Sequence, residues 1–276
     1  MGKYILWVTI ASVVVLLIEI LAGRHKGAYR KEDFFVVIGS FVVGRWAMVP
    51  LATMLVASVW NFALPGYRGA LAGASFWPAF AVLLVVTEFC FYWVHRWAHE
   101  AKGSRFPMLW KIHRTHHSGK HMNVVWFFIL PTSWVSGLAL YLGLVEPALA
   151  VTVLLMAWNL VTHSNFRWDD AVRRHRLAGP AFRALEHVFV SPGIHHTHHG
   201  YGRDGASYRN YALMLSVFDW AFGTLHIPDG RPWKYGMPGP NAHWLEELAY
   251  PLVNFGGRDA DKPAERSAAE AGPATA

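Results

Sequence analysis

Sixteen histidines stand in a chain of 276 residues, and most of them are grouped. His95-Arg-Trp-Ala-His99 is an H-x3-H, while His113-Arg-Thr-His116-His117 and His195-His-Thr-His198-His199 are both H-x2-H-H. Residues three or four apart on a helix share a face, so each motif offers two or three imidazoles to a common point. A lone buried histidine is ordinarily a hydrogen-bonded core residue. Random placement of this many histidines gives roughly 0.05 H-x2-H-H matches, so two matches point to a metal centre instead. Eight imidazoles exceed the about four to six positions around one ion, and two adjacent metals are the natural count.

The ligand type restricts the metal. Neutral imidazole suits iron, zinc, copper or nickel and disfavours magnesium and calcium. A single cysteine, Cys90, excludes an internal disulfide framework, a thiolate zinc finger and a cysteine-ligated iron–sulfur cluster. No H-E-x-x-H occurs, which removes the commonest zinc-protease signature. The residues alone leave a non-haem redox pair and a zinc hydrolytic pair open.

Ligating imidazoles usually donate their other N–H to an acceptor. Glu88, seven residues before His95 and on the same helix face, is a candidate support. It lies in an apolar run, where a carboxylate is costly unless paired. Asp219 and Glu186 are further candidates. Asn159, four residues before His163, shares its face. His196 lies between ligand positions and projects differently, which suits a supporting or exposed role. His187, in the apolar stretch 182–190, reads as core. His121, His175, His226 and His243 have no partner at ligand spacing, and His25 lies in a basic loop facing head groups.

These residues need a scaffold. Hydrophobic residues make up 54% of the chain and charged residues only 16%, against about 25% charge in an ordinary soluble domain. The apolar residues come in blocks, which favours membrane spans of about 20 residues each. Tyr4–Leu21, with neither a strong basic leader nor an A-x-A-like site, reads as a retained anchor. Phe34–Trp60 follows, interrupted by Arg45 and Pro50, and then Phe76–Val94, which runs straight into His95. Val124–Val145 and Ala148–Thr162 form a hairpin about Glu146-Pro147, a turn signal. Trp126, Phe127, Phe128 and Trp134 are candidates to line a lipid cavity, with interfacial packing the plainer role for each, and Arg45 suits snorkelling as well as substrate contact.

Lysine and arginine orient the bundle. Four follow the first span, six lie within 96–120, none occupies the 146–147 turn and twelve follow His163. The asymmetry predicts an outside N-terminus and a cytoplasmic face carrying all the clustered histidines, in an inner or plasma membrane. The net charge of +7 thus follows topology and anionic head groups. The basic residues form no block with interleaved stacking aromatics, so nucleic acid is not a partner. Residues 256–276 are rich in Ala, Pro, Glu and Gly, the composition of a disordered tail. The expected fold is all-α: an integral membrane helical bundle with a cytosolic histidine-rich helical cap. Its expected parts are anchor helices over 1–75, a catalytic domain over 76–228 and a C-terminal extension over 229–276.

The stretch Glu88-Phe-Cys-Phe-Tyr92-Trp93-Val-His95-Arg96-Trp-Ala-His99 resembles the opening motif of the fatty acid hydroxylase/sterol desaturase superfamily, where an acidic residue precedes Tyr-Trp-x-His-Arg. Leu109-Trp110-Lys-Ile-His113-Arg-Thr-His116-His117-Ser118 resembles its second box, and Thr162-His163-Ser164-Asn165 its single intermediate histidine. Ser191-Pro192-Gly-Ile-His195-His-Thr-His198-His199-Gly200 resembles the third box. Asn210-Tyr211 and Phe218-Asp219-Trp-Ala-Phe222-Gly223-Thr224 match the closing segment. Glu88 stands where the family often has Asp, and Ile194 where it often has His.

The resemblance implies a membrane helical bundle capped by a cytosolic non-haem di-iron site. The implied ligands are His95, His99, His113, His116, His117, His163, His195, His198 and His199; without the resemblance, His163 reads as an interfacial histidine. The implied reaction is O2-dependent hydroxylation or desaturation of a lipid: a fatty acyl chain, sterol, carotenoid or ether lipid. No G-x-G-x-x-G dinucleotide fingerprint occurs, so electrons come from a separate reductase, ferredoxin or cytochrome. Zinc is expected as a misloaded metal. The rival readings are a membrane zinc hydrolase and a non-enzymatic metal-binding membrane protein.

Overall fold

A computed structural model describes residues 2–23, 31–39, 43, 46–118, 129–237 and 242–255. The expectations for His25, Arg45, His121, Trp126, Phe127, Phe128 and the tail 256–276 fall outside the described residues, as do Arg24, Lys26, Arg30 and Lys120.

Backbone polar groups in a bilayer have no water to bond, and a helix satisfies them within one segment. The apolar blocks accordingly form α1 (Gly2–Leu21), α3 (Val49–Ala63), α4 (Phe76–Glu100), α6 (Ile129–Tyr141) and α7 (Val145–Thr162), with α2 (Lys31–Gly39) and α5 (Met108–Ser118) between them. Short helices follow: α8 (Trp168–Arg174), α9 (Ala178–Leu185), α10 (Pro192–His199), α11 (Val217–Ala221) and α12 (Trp244–Ala249). Trp46–Ala63, Phe76–Glu100 and Val145–Thr162 are long and apolar enough to cross a bilayer, and α1 contributes a shorter apolar helix over Leu6–Leu21. The protein is a membrane helical bundle, as the composition predicts. A two-residue antiparallel ladder, β1 (Gly200–Tyr201) with β2 (Lys234–Tyr235), interrupts the all-helical pattern.

One boundary differs from expectation. Within the run Phe34–Trp60, α2 packs on α12, and residues 46–48 lead as π-helix into α3, so the described chain stays helical across Pro50. The hairpin turn lies at 142–144, not at Glu146-Pro147, and both of those residues belong to the first turn of α7. Proline lacks an N–H that the first helical turn does not use, so Pro147 opens a helix as readily as it would end one. Gly143 makes the turn at φ 90°, and a Cβ there would meet that of Ala72 at 2.9 Å.

The spans pack closely where side chains are small. A Cβ on Gly137 of α6 would lie 2.7 Å from Val56 Cγ1 on α3, a close helix approach of the kind small residues permit in membranes. Helix α4 packs on α5, α6 and α7. Phe91, Ala98, Val151, Leu155, Leu213 and Met214 form the core between α4, α7 and the loop after β1. Helix α1 runs along α7, and buried Glu19 accepts hydrogen bonds from Ser164 Oγ (2.7 Å) and Asn165 N (2.6 Å). The C-terminal ends of α1 and α7 therefore meet on one face, as the expected topology requires.

Candidate metal centre

Two groups of buried histidines lie at the C-terminal ends of α4 and α7. His95, His99, His113, His117 and His198 form the first, and His116, His163, His195 and His199 the second; within each group the ligand nitrogens all lie within 4.8 Å of one another. Helix geometry explains the sorting. His95 and His99, one turn apart on α4, face the first group together, and so do His113 and His117 on α5. The third residue of that box, His116, turns to the second group. On α10 the pattern is reversed: His195 and His199 face the second group and His198 crosses to the first. The two groups adjoin, with the His117 and His199 rings stacked at 4.4 Å.

Backbone carbonyls fix several tautomers. His95 Nδ1 donates to the Tyr211 carbonyl (2.6 Å), His198 Nδ1 to that of Arg209 (2.7 Å) and His163 Nδ1 to that of Asn159 (2.8 Å). A carbonyl only accepts, so in each neutral ring Nε2 carries a lone pair and no proton. These lone pairs point at other imidazole nitrogens. His113 Nε2 lies 3.1, 2.9 and 2.9 Å from the Nε2 atoms of His95, His99 and His117. His117 Nε2 also approaches those of His99 and His198, each at 3.1 Å. One nitrogen carries at most one proton, so hydrogen bonds cannot satisfy such a set. A cation can: donors about 2.1 Å from an ion and at right angles to one another lie about 3.0 Å apart. His163 and His195 repeat the spacing in the second group, at 3.1 Å. The residues fit two metals.

The carboxylates support the site at one remove. Glu88 Oε2 accepts from the amides of Met214 (2.9 Å) and Leu215 (2.8 Å). Asp219 accepts from those of Tyr211 (2.7 Å) and Ala212 (2.8 Å) and from the Thr224 hydroxyl (2.7 Å). Both thus hold the loop whose Tyr211 carbonyl orients His95. Asn159 contributes its carbonyl to His163, and its buried carboxamide has no hydrogen-bond partner among the described residues. His196 is buried and pairs through Nδ1 with the Tyr235 hydroxyl (3.1 Å). His187 donates to the Arg183 carbonyl and packs on Trp220. His175 and His243 accept from backbone amides two or three residues ahead, and Trp134 stacks edge-on against Trp60.

Residue-type reasoning singled out Glu186 but missed the two clusters as such. Asp169, Asp170, Arg173, Glu186, Ser191 and Arg231 form a buried charged network at the start of α10; its local signals are the Asp-Asp-x-x-Arg spacing and the Ser-Pro helix start. Arg114, inside the second box, pairs with Glu246 (3.6 Å) and lies 3.9 Å over the Tyr250 ring, tying α5 to the C-terminal segment.

Burial holds the His198 imidazole down at about 4, with its bond to the Arg209 carbonyl opposing the shift. Burial, then neighbouring imidazoles, pushes His113, His117, His195 and His199 well below the ordinary value. The folded protein therefore keeps these rings neutral, whereas unfolded histidines take up protons near about 6.5. Stability is full above about 6.5 and is lost as pH falls toward about 4, while the folded site stays deprotonated through that window and yields metal only at its acid end. The thermal midpoint in detergent should decline through that window, and metal should leave only as pH approaches about 4. A flat profile would contradict neutral imidazoles.

Three comparisons bear on this site. A family model described as fatty acid hydroxylase matches residues 80–224, slightly more than half of the chain. The chain is 26% identical over 212 residues to methylsterol monooxygenase 1-3 of Arabidopsis thaliana, spanning 73% of this chain and 66% of that protein. It is 31% identical over 205 residues to ornithine lipid hydroxylase OlsE of Rhizobium tropici, spanning 67% of this chain and 55% of that protein. The matched length is thus under two thirds of one relative and just over half of the other. No solved structure matches the chain.

Proposed function

We propose that this chain, which belongs to the fatty acid hydroxylase family, is a membrane non-haem di-iron oxygenase that hydroxylates or desaturates a lipid C–H bond. O2 is the co-substrate and an external donor supplies the electrons. The observation that carries the reading is the pair of adjacent buried histidine groups with converging, tautomer-fixed lone pairs. Iron held there would supply the redox chemistry that activates O2.

The chain's own residues do the rest. The nine imidazoles hold the metals, and the carbonyls of Arg209, Tyr211 and Asn159 aim His198, His95 and His163. Glu88 and Asp219 brace the loop behind His95, and buried His196 braces α10 against β2 through Tyr235. The Asn159 carboxamide, one turn below His163, offers a donor and an acceptor to a molecule admitted to the second group. The apolar core of Phe91, Leu155 and Leu213 packs beside the first group, with the Phe91 ring 5.2 Å from that of His95, and keeps water from that side. The names of the two relatives denote oxidation of a methylsterol and of an ornithine lipid, which supports a lipid substrate. The Lys/Arg asymmetry supports a cytoplasmic site in an inner or plasma membrane.

The test is metal content and oxygen uptake on detergent-purified protein after anaerobic ferrous reconstitution, since imidazole sites hold zinc more tightly than ferrous iron. The expected result is about two irons per chain and oxygen consumption that requires reductant and rises with lipid. Turnover of a lipid without oxygen or reductant would make the protein a zinc hydrolase, and metal without turnover a metal-binding membrane protein. No metal at all would overturn the reading.

A further inference from the structure

The loop between β1 and α11 runs at a depth that hydropathy does not register. Met214 N and Leu215 N donate to Glu88, which stands seven residues before His95 on α4. At the helical rise this is about 10 Å further into the span. On the other side, Val190 N donates to the Met214 carbonyl (2.8 Å), and Trp158 Nε1, within the span Val145–Thr162, donates to the Val190 carbonyl (3.1 Å). Ring contacts repeat the level: Phe89 of α4 meets Phe218 at 5.8 Å and Phe222 at 6.3 Å, and Trp158 meets Phe189 at 5.9 Å. Two stretches, 185–190 and 211–222, therefore lie beside α4 and α7, the second descending from the level of His95 at Tyr211 to that of Glu88 and Phe89.

Their polarity is inverted relative to a water-facing surface. Leu185 (55% exposed), Val188, Phe189, Trp220 (59% exposed) and Phe222 face outward, while Glu186 and Asp219, the acidic residues of these stretches, are buried. Non-helical backbone persists at membrane depth only where protein groups satisfy its amides. Glu88 does this for Met214 and Leu215, and Asp219 for Tyr211 and Ala212. The same bonds account for a carboxylate in the middle of an apolar helix, which is costly unless paired.

We propose that residues 185–190 and 211–222 form a re-entrant wedge in the leaflet on the histidine side, with Leu185, Val188, Phe189, Trp220 and Phe222 against lipid acyl chains. The wedge forms a wall between bulk lipid and the histidine groups. It rests on α4 and α7 as membrane spans and not on the oxygenase reading, so metal-free protein serves to test it.

Wild-type chain in phosphatidylcholine/phosphatidylglycerol vesicles is photolabelled with a phosphatidylcholine bearing a diazirine in its acyl chain, and the adducts are mapped by mass spectrometry. Adducts are expected on 185–189 and 220–222 at yields comparable to those at Val82 and Val85, outward positions of α4. Labelling of α4 without labelling of these stretches would overturn the wedge. Spin labels at Val188→Cys and Trp220→Cys, in a Cys90→Ser background, give a second reading. The ratio of oxygen to water-soluble nickel accessibility should exceed that at Arg203→Cys, an exposed position in the turn after β1, several-fold. A ratio at either site equal to that at Arg203→Cys would place it in water or against a soluble partner and also overturn the proposal.

Discussion

Replacing His116 by alanine will abolish turnover and remove about one metal equivalent per chain. His116 is one of four imidazoles in the second group, its ring 4.4 Å from that of His199, and no carboxylate or thiolate in that group can take its place. His198→Ala will abolish turnover as well. It deletes the α10 member of the first group and leaves four of five imidazoles, so metal is weakened there more than lost. Loss of an outer-shell partner alone typically lowers metal affinity 10–100-fold, about 1–3 kcal/mol, and loss of a ligand should do at least as much. The metal-free protein behaves differently. Its converging lone pairs are mutually repulsive in a dry site, so either substitution should leave the apo thermal midpoint unchanged or higher. What shrinks is the rise in midpoint on adding metal, which reports binding to the folded state. Differential scanning with and without ferrous ion separates these effects. Full activity in either variant would contradict the di-iron assignment, and an apo form that collapses would mean that the histidines are structural.

Ligand spacing is a local property, which is why the three histidine boxes are legible in the sequence. Their partition is not local. His116 and His198 each cross to the group opposite their box-mates, and that crossing depends on how α5 and α10 face each other, which no spacing rule contains. The acceptors of the imidazole N–H groups are equally silent, because the carbonyls of Arg209, Tyr211 and Asn159 would be present whatever side chains those positions carried. Glu88 is visible as an anomaly in an apolar helix, but its partners, Met214 and Leu215, lie more than 120 residues away. Hydropathy finds the spans Phe76–Glu100 and Val145–Thr162, since about 20 apolar residues have few other uses. It misplaces the hairpin turn, because proline marks a turn and a helix start alike and Gly143, the residue that bends the chain, carries no hydropathy signal.

Asp169 is the position outside the histidines where a small change should have the most selective effect. Its carboxylate is fully buried and accepts from Gly193 N (2.7 Å), from Arg173 Nη2 (3.3 Å) and from Arg231. Arg173 also reaches Asp170 (3.1 Å) and Glu186 (3.2 Å), and Glu186 accepts from Ser191 Oγ (2.6 Å), the N-cap of α10. These contacts converge on the first turn of α10, which supplies two of four imidazoles to the second group and one of five to the first. Asp169→Asn keeps the shape but leaves two buried guanidiniums short of a charge, and breaking a buried pair costs about 3–5 kcal/mol. The remaining carboxylates should hold the loss to the lower end. A small displacement of α10 then falls mainly on the second group: the first metal should stay while affinity for the second drops about 10–100-fold. Gly193→Ala tests the same joint without altering charge, since its Cβ would lie 2.6 Å from Arg173 Nη2 and 2.8 Å from Asp169 Oδ2. Stepwise ferrous titration followed by Mössbauer or magnetic spectroscopy counts the two sites separately. Selective loss in both variants assigns the network to positioning α10, because a general weakening of the fold would lower both affinities together. Equal loss at both sites, or none, would reduce Asp169 to an ordinary structural residue.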